Sequence, residues 1–227
     1  MQRPEHLPSE NNAAIMHANC KLLFARYAKP LFHAHLRVLE IGPDSFPSSY
    51  QQLVANGGPA WHTLDICADE RLTYSGSEAH RFPIADGSYD IVLAGSVIEH
   101  VRKPWLWIRE VGRVCKTGGH VVVIVPVSWP YHEAPLDCWR IYPAGMSALL
   151  EDAGLAVVEN RFESLETPGY TRYTPGKSLD CHARSLRWFY SLAGRLGFPV
   201  ERAYDTIAIA RKQGRGPLPP ANGVAAE

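Results

Sequence analysis

The 227-residue chain has no surplus of charge: 23 Lys+Arg stand against 23 Asp+Glu. A protein built mainly to grip nucleic acid needs a clustered cationic excess for the phosphates, so this balance argues against that class while leaving room for a local patch. The five cysteines, at 20, 67, 115, 138 and 181, are odd in number, widely spaced and without a C-x-x-C pair. They indicate neither a disulfide framework nor a zinc finger, no metal site is read from the sequence, and a reducing cytoplasm is the simplest compartment. No apolar run reaches the length of a membrane span, and residues 1–12 lack the apolar core of a secretion signal, so the chain reads as soluble and cytoplasmic. There is no internal repeat. With 46% hydrophobic residues, disorder is excluded for most of the chain. A domain of this size buries roughly 70% of the surface its unfolded chain exposes, enough to fold without a staple.

What is present is an alternation of strand-like and helix-like segments. Ser9 reads as the N-cap of a helix running to Tyr27, with Ile15, Met16, Leu22 and Leu23 at helical spacing and Pro30 closing it. Strands are predicted over 36–41, 61–66, 89–94 and 120–125, with helices over 48–56 and 104–115 between them. Val121 to Val125 form a continuous apolar run, as in a strand covered on both faces. A short helix ending at Gly154, a strand over 155–162, a helix near 182–196 and a last strand over 203–210 follow. This order predicts a parallel α/β sheet. From Gln213 the chain is rich in Gly, Pro and Ala and is expected to be disordered. Beyond Thr171 there are nine Lys+Arg against four Asp+Glu, so an acidic first part is balanced by a basic end, read either as a solvated helix face plus a basic tail or as a surface for an anionic substrate or membrane.

The first candidate site is the strand end Val38-Leu39-Glu40-Ile41-Gly42-Pro43-Asp44, which delivers a carboxylate and a glycine to the carboxyl edge of the sheet, where ligands of open α/β sheets bind. A dinucleotide would require G-x-G-x-x-G, and here Asp44 and Phe46 replace the later glycines. A cationic, phosphate-free ligand suits such a loop better.

This segment resembles the first motif of the class I S-adenosylmethionine (SAM)-dependent methyltransferases, a strand ending in an acid, any residue and glycine. Three more matches follow in order. Trp61-His62-Thr63-Leu64-Asp65-Ile66 is similar to the second strand, whose acid receives the ribose hydroxyls. The run from Glu78 and Ala79 through Phe82-Pro83 to Asp86-Gly87-Ser88-Tyr89-Asp90 resembles the type 11 subgroup's D-A-x-x-L-P-F-x-D-G-S-F-D pattern. Gly95-Ser96-Val97-Ile98-Glu99-His100-Val101 is similar to its L-E-H-V segment. The resemblance implies a Rossmann-like, seven-stranded sheet, mostly parallel with an antiparallel last strand and helices on both faces. It implies SAM as cofactor, S-adenosylhomocysteine as product, and contacts from Glu40, Gly42, Pro43, Asp44, Asp65, Ile66, Glu78, Ala79, Gly95 and Ser96. One domain over 1–212 is expected, with 1–35 as a helical cover and 126–200 forming the acceptor side. The missing later glycine is a departure that touches the methionine end. Taken singly, Glu40 and Asp65 could be structural, Asp86-Gly87 and Asp90 read as structural, and Trp105 and Trp107 as packing.

Methyl transfer to a hydroxyl needs in-line positioning and a base, and histidine suits that role near neutral pH. His100, just after a strand that ends at the cofactor edge, is one candidate; a packed histidine is the alternative. The second candidate segment is Tyr131-His132 through Asp137-Cys138-Trp139-Arg140, a loop more polar and aromatic than a connector needs. Tyr131 and Trp139 could stack on an acceptor, Arg140 contact an anion, and His132 or Asp137 act as base; an Asp137–Arg140 ion pair that shapes the loop is the structural alternative. The pattern recurs in type 11 members associated with glycans and other small acceptors. The expectation is a SAM-dependent methyltransferase acting on a small or glycan-like acceptor, at oxygen, as a monomer or homodimer. The alternative is a methyltransferase-like binding or regulatory protein without turnover. No N/D-P-P-Y/F segment follows the 89–94 strand, so a nucleic-acid base acceptor is not supported.

Overall fold

The computed structural model describes residues 18–54, 58–75, 78–129, 131–132, 136–166, 192, 196 and 203–214. The expected N-cap at Ser9, most of the 182–196 helix and nearly all of the expected tail lie outside these residues. Among the described residues, no helix is long and apolar enough to cross a membrane.

The chain enters through α1 (Ala18–Leu23), a π-helical turn (Phe24–Ala28) and a 3-10 turn (Lys29–Leu31) containing Pro30. Proline cannot donate to the preceding turn, which ends the helical run at the place the sequence implies. Then follow β1 (Arg37–Ile41), α2 (Ser49–Val54), β2 (Ala60–Leu64), β3 (Tyr89–Gly95), α3 (Pro104–Val114), β4 (Cys115–Pro126), α4 (Pro143–Asp152), β5 (Leu155–Glu163) and β6 (Asp205–Lys212). Helices α3 and α4 both begin on a proline, whose fixed φ and missing N–H suit the first turn.

The strands form one sheet in the order β2-β1-β3-β4-β6-β5. β2, β1, β3 and β4 are mutually parallel, and β6 runs antiparallel to both β4 and β5. The antiparallel last strand is as expected, but the sheet holds six strands among the described residues instead of seven. Beyond β2, pairing is reduced to a single parallel bridge between Leu64 and Tyr74. The segment there is rich in polar residues (Asp69, Glu70, Arg71, Ser75), which leaves little apolar surface to anchor a full edge strand.

Alternation along the strands splits the core in two. Leu39, Val121, Val123 and Val125 pack with Trp107, Ile108, Met146 and Leu150 of α3 and α4 on one face. Val38, Val122, Ile124, Ile207 and Ile209 pack with Cys20, Leu23, Phe24 and Tyr50 of the N-terminal turns and α2 on the other. Covering both faces explains why β4 reads as an unbroken apolar run, and each of its fully buried aliphatic side chains contributes roughly 1.5–3 kcal/mol. Trp107 is buried in this packing, whereas Trp105 is 42% exposed. Asp90 accepts hydrogen bonds from Lys116 Nζ and the Arg37 N–H, a structural role. Gly87, at φ +60°, makes the turn before β3.

Candidate functional site

Strand register decides which side chains meet. Ile41 is level with Leu64 of β2 and with Ala94 of β3, so Gly42, Asp65 and Gly95 leave the sheet side by side at its carboxyl edge. Three of the four sequence matches therefore converge on one place.

Glu40 is buried, and its Oε2 accepts hydrogen bonds from Ser48 Oγ (2.5 Å) and Trp61 Nε1 (2.7 Å), while Oε1 has no hydrogen-bond partner. Burial pushes its carboxyl up to about 7, against the two donated bonds, which favour the charged form. Ser48 also caps α2, accepting the Gln51 N–H, so the acid of β1 and the start of α2 are held together. Gly42 sits at φ +70°, and a Cβ there would lie 2.5 Å from Val97 Cγ2; only glycine fits this turn without strain. Asp44 turns back onto α2: its two oxygens accept the Ser49 N–H (2.8 Å) and the Ser49 Oγ–H (2.6 Å). Pro43 lies between these two residues in the same turn.

Asp65, at the end of β2, is half-buried and accepts the Cys67 N–H through Oδ1 at 2.8 Å, an arrangement that fixes the carboxylate beside the half-exposed Ile66. Glu78 is exposed, on a short segment bridged to Arg81, with Ala79 half-buried beside it. At the end of β3, the buried Gly95 underlies the Tyr50 ring, since a Cβ there would come within 2.1 Å of Tyr50 Oη. Ser96 follows at φ +55°, an uncommon conformation for a residue with a Cβ, and its N–H donates to the Ile124 carbonyl. An orphaned buried oxygen on Glu40, a tight glycine turn and a strand-end carboxylate fit a ligand that carries positive charge at one end and hydroxyls at the other.

The second candidate region folds onto the first. The 3-10 turn Ile98–His100 follows β3, and the Glu99 carbonyl accepts the N–H groups of Cys138 and Trp139. His100 Nδ1 bonds the Leu136 carbonyl. Since a carbonyl only accepts, Nδ1 carries the proton and a neutral ring keeps its lone pair on Nε2. Burial holds the His100 imidazole below its ordinary pKa. Its ring meets that of His132 edge to face at 5.1 Å. Asp137 accepts the His132 N–H at 2.9 Å and forms a bidentate pair with Arg140, at 2.5 and 2.6 Å. Burial alone would raise Asp137; the Arg140 and His132 hydrogen bonds together outweigh it and hold the carboxyl below its usual range. The loop-shaping pair is thus present. Trp139 donates Nε1–H to the Val101 carbonyl, and Trp139 and Tyr131 are 38% and 69% exposed.

The structure adds two residues that sequence reasoning did not assign. Glu99 is completely buried, neither carboxylate oxygen accepts a hydrogen bond, and burial pushes it up to about 8. Its place beside a histidine in the Glu99-His100 pair was the available signal. Tyr50, from α2, is buried with no hydrogen bond to its hydroxyl, and nothing local in the sequence marks it.

Residues 27–123 match a family model described as a methyltransferase domain. A curated protein of Mycobacteroides abscessus, described as an uncharacterized methyltransferase, is 40% identical over 55 residues, which are 24% of this chain and 21% of that protein. The match therefore spans about a fifth of the length of that relative. A solved SAM-dependent methyltransferase from Archaeoglobus fulgidus superposes with a TM-score of 0.56 at 18% identity, covering 85% of this chain and 92% of its own. Burkholderia thailandensis 1,6-didemethyltoxoflavin-N1-methyltransferase, solved with 1,6-didemethyltoxoflavin and S-adenosylhomocysteine, superposes with a TM-score of 0.54 at 13% identity, covering 84% and 78%. At such identities the structures speak to the fold, and the family match speaks to the segment holding Glu40, Gly42, Asp65, Gly95 and His100. That segment carries the likeness: over residues 27–123 the chain is similar to the methyltransferase-domain family.

Proposed function

We propose that the protein transfers a methyl group from SAM to a hydroxyl of a small or glycan-like acceptor. The observation that carries this reading is the register that sets Gly42, Asp65 and Gly95 at one sheet edge, with the polar corner of His100 and His132 next to it. Asp65 would accept hydrogen bonds from the ribose hydroxyls, with Ile66, Glu78 and Ala79 toward the adenine; Glu40 would face the cationic methionine end, with Gly42, Pro43, Asp44, Gly95 and Ser96 lining the turn. A carboxylate accepting two hydroxyl protons is a strong, oriented contact. SAM supplies a methyl group on a sulfonium whose departure leaves a neutral thioether. Positioning then carries much of the catalysis, since holding reactants in line is worth about 7–11 kcal/mol in favourable cases. His100 or His132, steadied by Asp137, would receive the hydroxyl proton, and Tyr131, Trp139 and Arg140 would border the acceptor.

The neighbour from Burkholderia is, by its name, an N1-methyltransferase of 1,6-didemethyltoxoflavin, which supports a small-molecule acceptor and leaves the choice of oxygen to the two-histidine corner. Incubation with methyl-labelled SAM and fractionated small-molecule and glycan pools tests the reading. Label should appear in an acceptor as an ether, stable to base, and turnover should fall in His100→Ala and His132→Ala while SAM affinity stays nearly unchanged. Cofactor binding without transfer to any fraction would select the alternative, a methyltransferase-like binding or regulatory protein.

A further inference from the structure

The corner that joins the two candidate regions holds a feature that a proton-accepting histidine does not explain. One ligand-type atom each from Glu99, His100 and His132 lies within 4.8 Å of the others. Glu99 is 0% exposed, and both its oxygens lack hydrogen bonds. A buried carboxylate in that state is costly unless a cation completes it. The nearby cation, Arg140, is directed in bidentate fashion at Asp137 instead.

We propose that Glu99, His100 and His132 bind one divalent transition-metal ion. Two imidazoles and one carboxylate are the donor set of three-ligand sites that keep open coordination positions, and they favour ions such as Zn2+, Co2+ or Fe2+ over Mg2+ or Ca2+. Glu99 Oε1 and His100 Nε2 are 3.7 Å apart. Bonds of about 2.0–2.1 Å at tetrahedral angles place ligand atoms roughly 3.3 Å apart, so the cluster must close by at most about 1.5 Å to embrace the ion. The residues behind the ligands suit the same purpose. His100 donates Nδ1–H to the Leu136 carbonyl, which aims the Nε2 lone pair at Glu99. Asp137 Oδ2 stands 3.4 Å from His132 Nδ1 and accepts the His132 backbone N–H. Outer carbonyl and carboxylate partners of this kind orient metal-bound histidines. Cys138 and Trp139 donate their N–H groups to the Glu99 carbonyl, and the His132 N–H is held by the neighbouring Asp137 carboxylate, so these bonds keep the ligands from 99–100 and 132 in mutual reach.

The ion would sit just past Ser96, beside the edge assigned to the cofactor. There its open positions would take an oxygen of the acceptor and lower the pKa of that hydroxyl, whose proton would pass to solvent water; with the ion bound, His100 and His132 serve as ligands and no longer as proton acceptors. This role rests on the methyl-transfer reading; the binding itself does not.

Cobalt binding to the purified full chain is the test, because Co2+ held by nitrogen and oxygen donors reports its site through visible d–d absorption without cofactor or turnover. The expected result is absorption that saturates at one Co2+ per chain, is displaced by Zn2+, and is weakened on the order of 100-fold or more in His132→Ala and Glu99→Gln. His33→Ala removes one of a stacked, exposed histidine pair far from the corner and should leave the titration unchanged. Melting curves without metal separate a lost ligand from a lost fold: His132→Ala, in a loop, should melt with the wild type. Absence of saturable absorption in the wild type, or a titration unaltered by His132→Ala and Glu99→Gln, would overturn the site. Cobalt binding with no methyl transfer would sink the catalytic role alone.

Discussion

Glu40 links fold, pH and cofactor, and its replacement by glutamine is the most informative perturbation of the fold. The carboxyl is 1% exposed and pushed from an ordinary 4.5 up to about 7 by burial. Between those values the native state holds a proton that the unfolded chain has released. The stabilisation is therefore fully present below about pH 4.5 and is lost as pH rises through about 7. The difference between 4.5 and about 7 corresponds to roughly 3 kcal/mol, an upper figure because real unfolded chains and local relaxation reduce it. Glutamine keeps an acceptor for Ser48 Oγ and Trp61 Nε1 and places an amide where the orphaned Oε1 lies. Urea unfolding without cofactor, at several values from about pH 5 to about pH 8, should show Glu40→Gln close to wild type at the acid end and more stable by up to about 3 kcal/mol at the alkaline end. Asp205, also buried and pushed up to about 7, tilts both proteins alike, so the difference between them isolates Glu40. A wild-type-minus-variant difference that does not change with pH would refute the reasoning.

Other predictions test separate parts of the account. Gly42→Ala should cost about 2–4 kcal/mol, combining left-handed backbone strain with the clash on Val97, and adding Val97→Ala should recover part of that loss in thermal melts. Tyr50→Phe removes a buried hydroxyl that has no hydrogen bond and should leave stability unchanged or raise it by about 1 kcal/mol; a loss of 2 kcal/mol or more in urea unfolding would mean the hydroxyl is satisfied. SAM affinity measured by calorimetry should strengthen as pH rises through about 7, as Glu40 ionises to face a cationic ligand, and should stay flat with pH in Glu40→Gln.

Much of the sheet was legible because buried strands and capped helices leave local marks. The apolar run 121–125 became β4, Pro104 started α3, and the acid-x-glycine strand end became the turn at Gly42. The ordered motifs also placed Asp65 and Gly95 beside Gly42, which only strand register could confirm. What stayed hidden depends on contacts distant in sequence. Trp61 reaching Glu40 and the 98–100 turn receiving the loop near Trp139 leave no periodic trace. Asp44 looked like a cofactor contact from its position after the glycine, yet a carboxylate one loop before a helix also finds the first free N–H of that helix, here Ser49. The seventh strand was expected from resemblance alone, and the polar segment around Tyr74 supports only a bridge. Glu99 was visible within the L-E-H-V likeness, but its complete burial without hydrogen bonds is a property of packing.

The central claim is that SAM binds at the carboxyl edge of β1, β2 and β3. Isothermal titration of S-adenosylhomocysteine into the wild type and into Asp65→Ala tests it most directly. One site per chain, weakened by about tenfold or more when the Asp65 carboxylate is removed while the variant melts as the wild type does, is the predicted result. Failure of the wild type to bind, or equal affinity in Asp65→Ala, would contradict it.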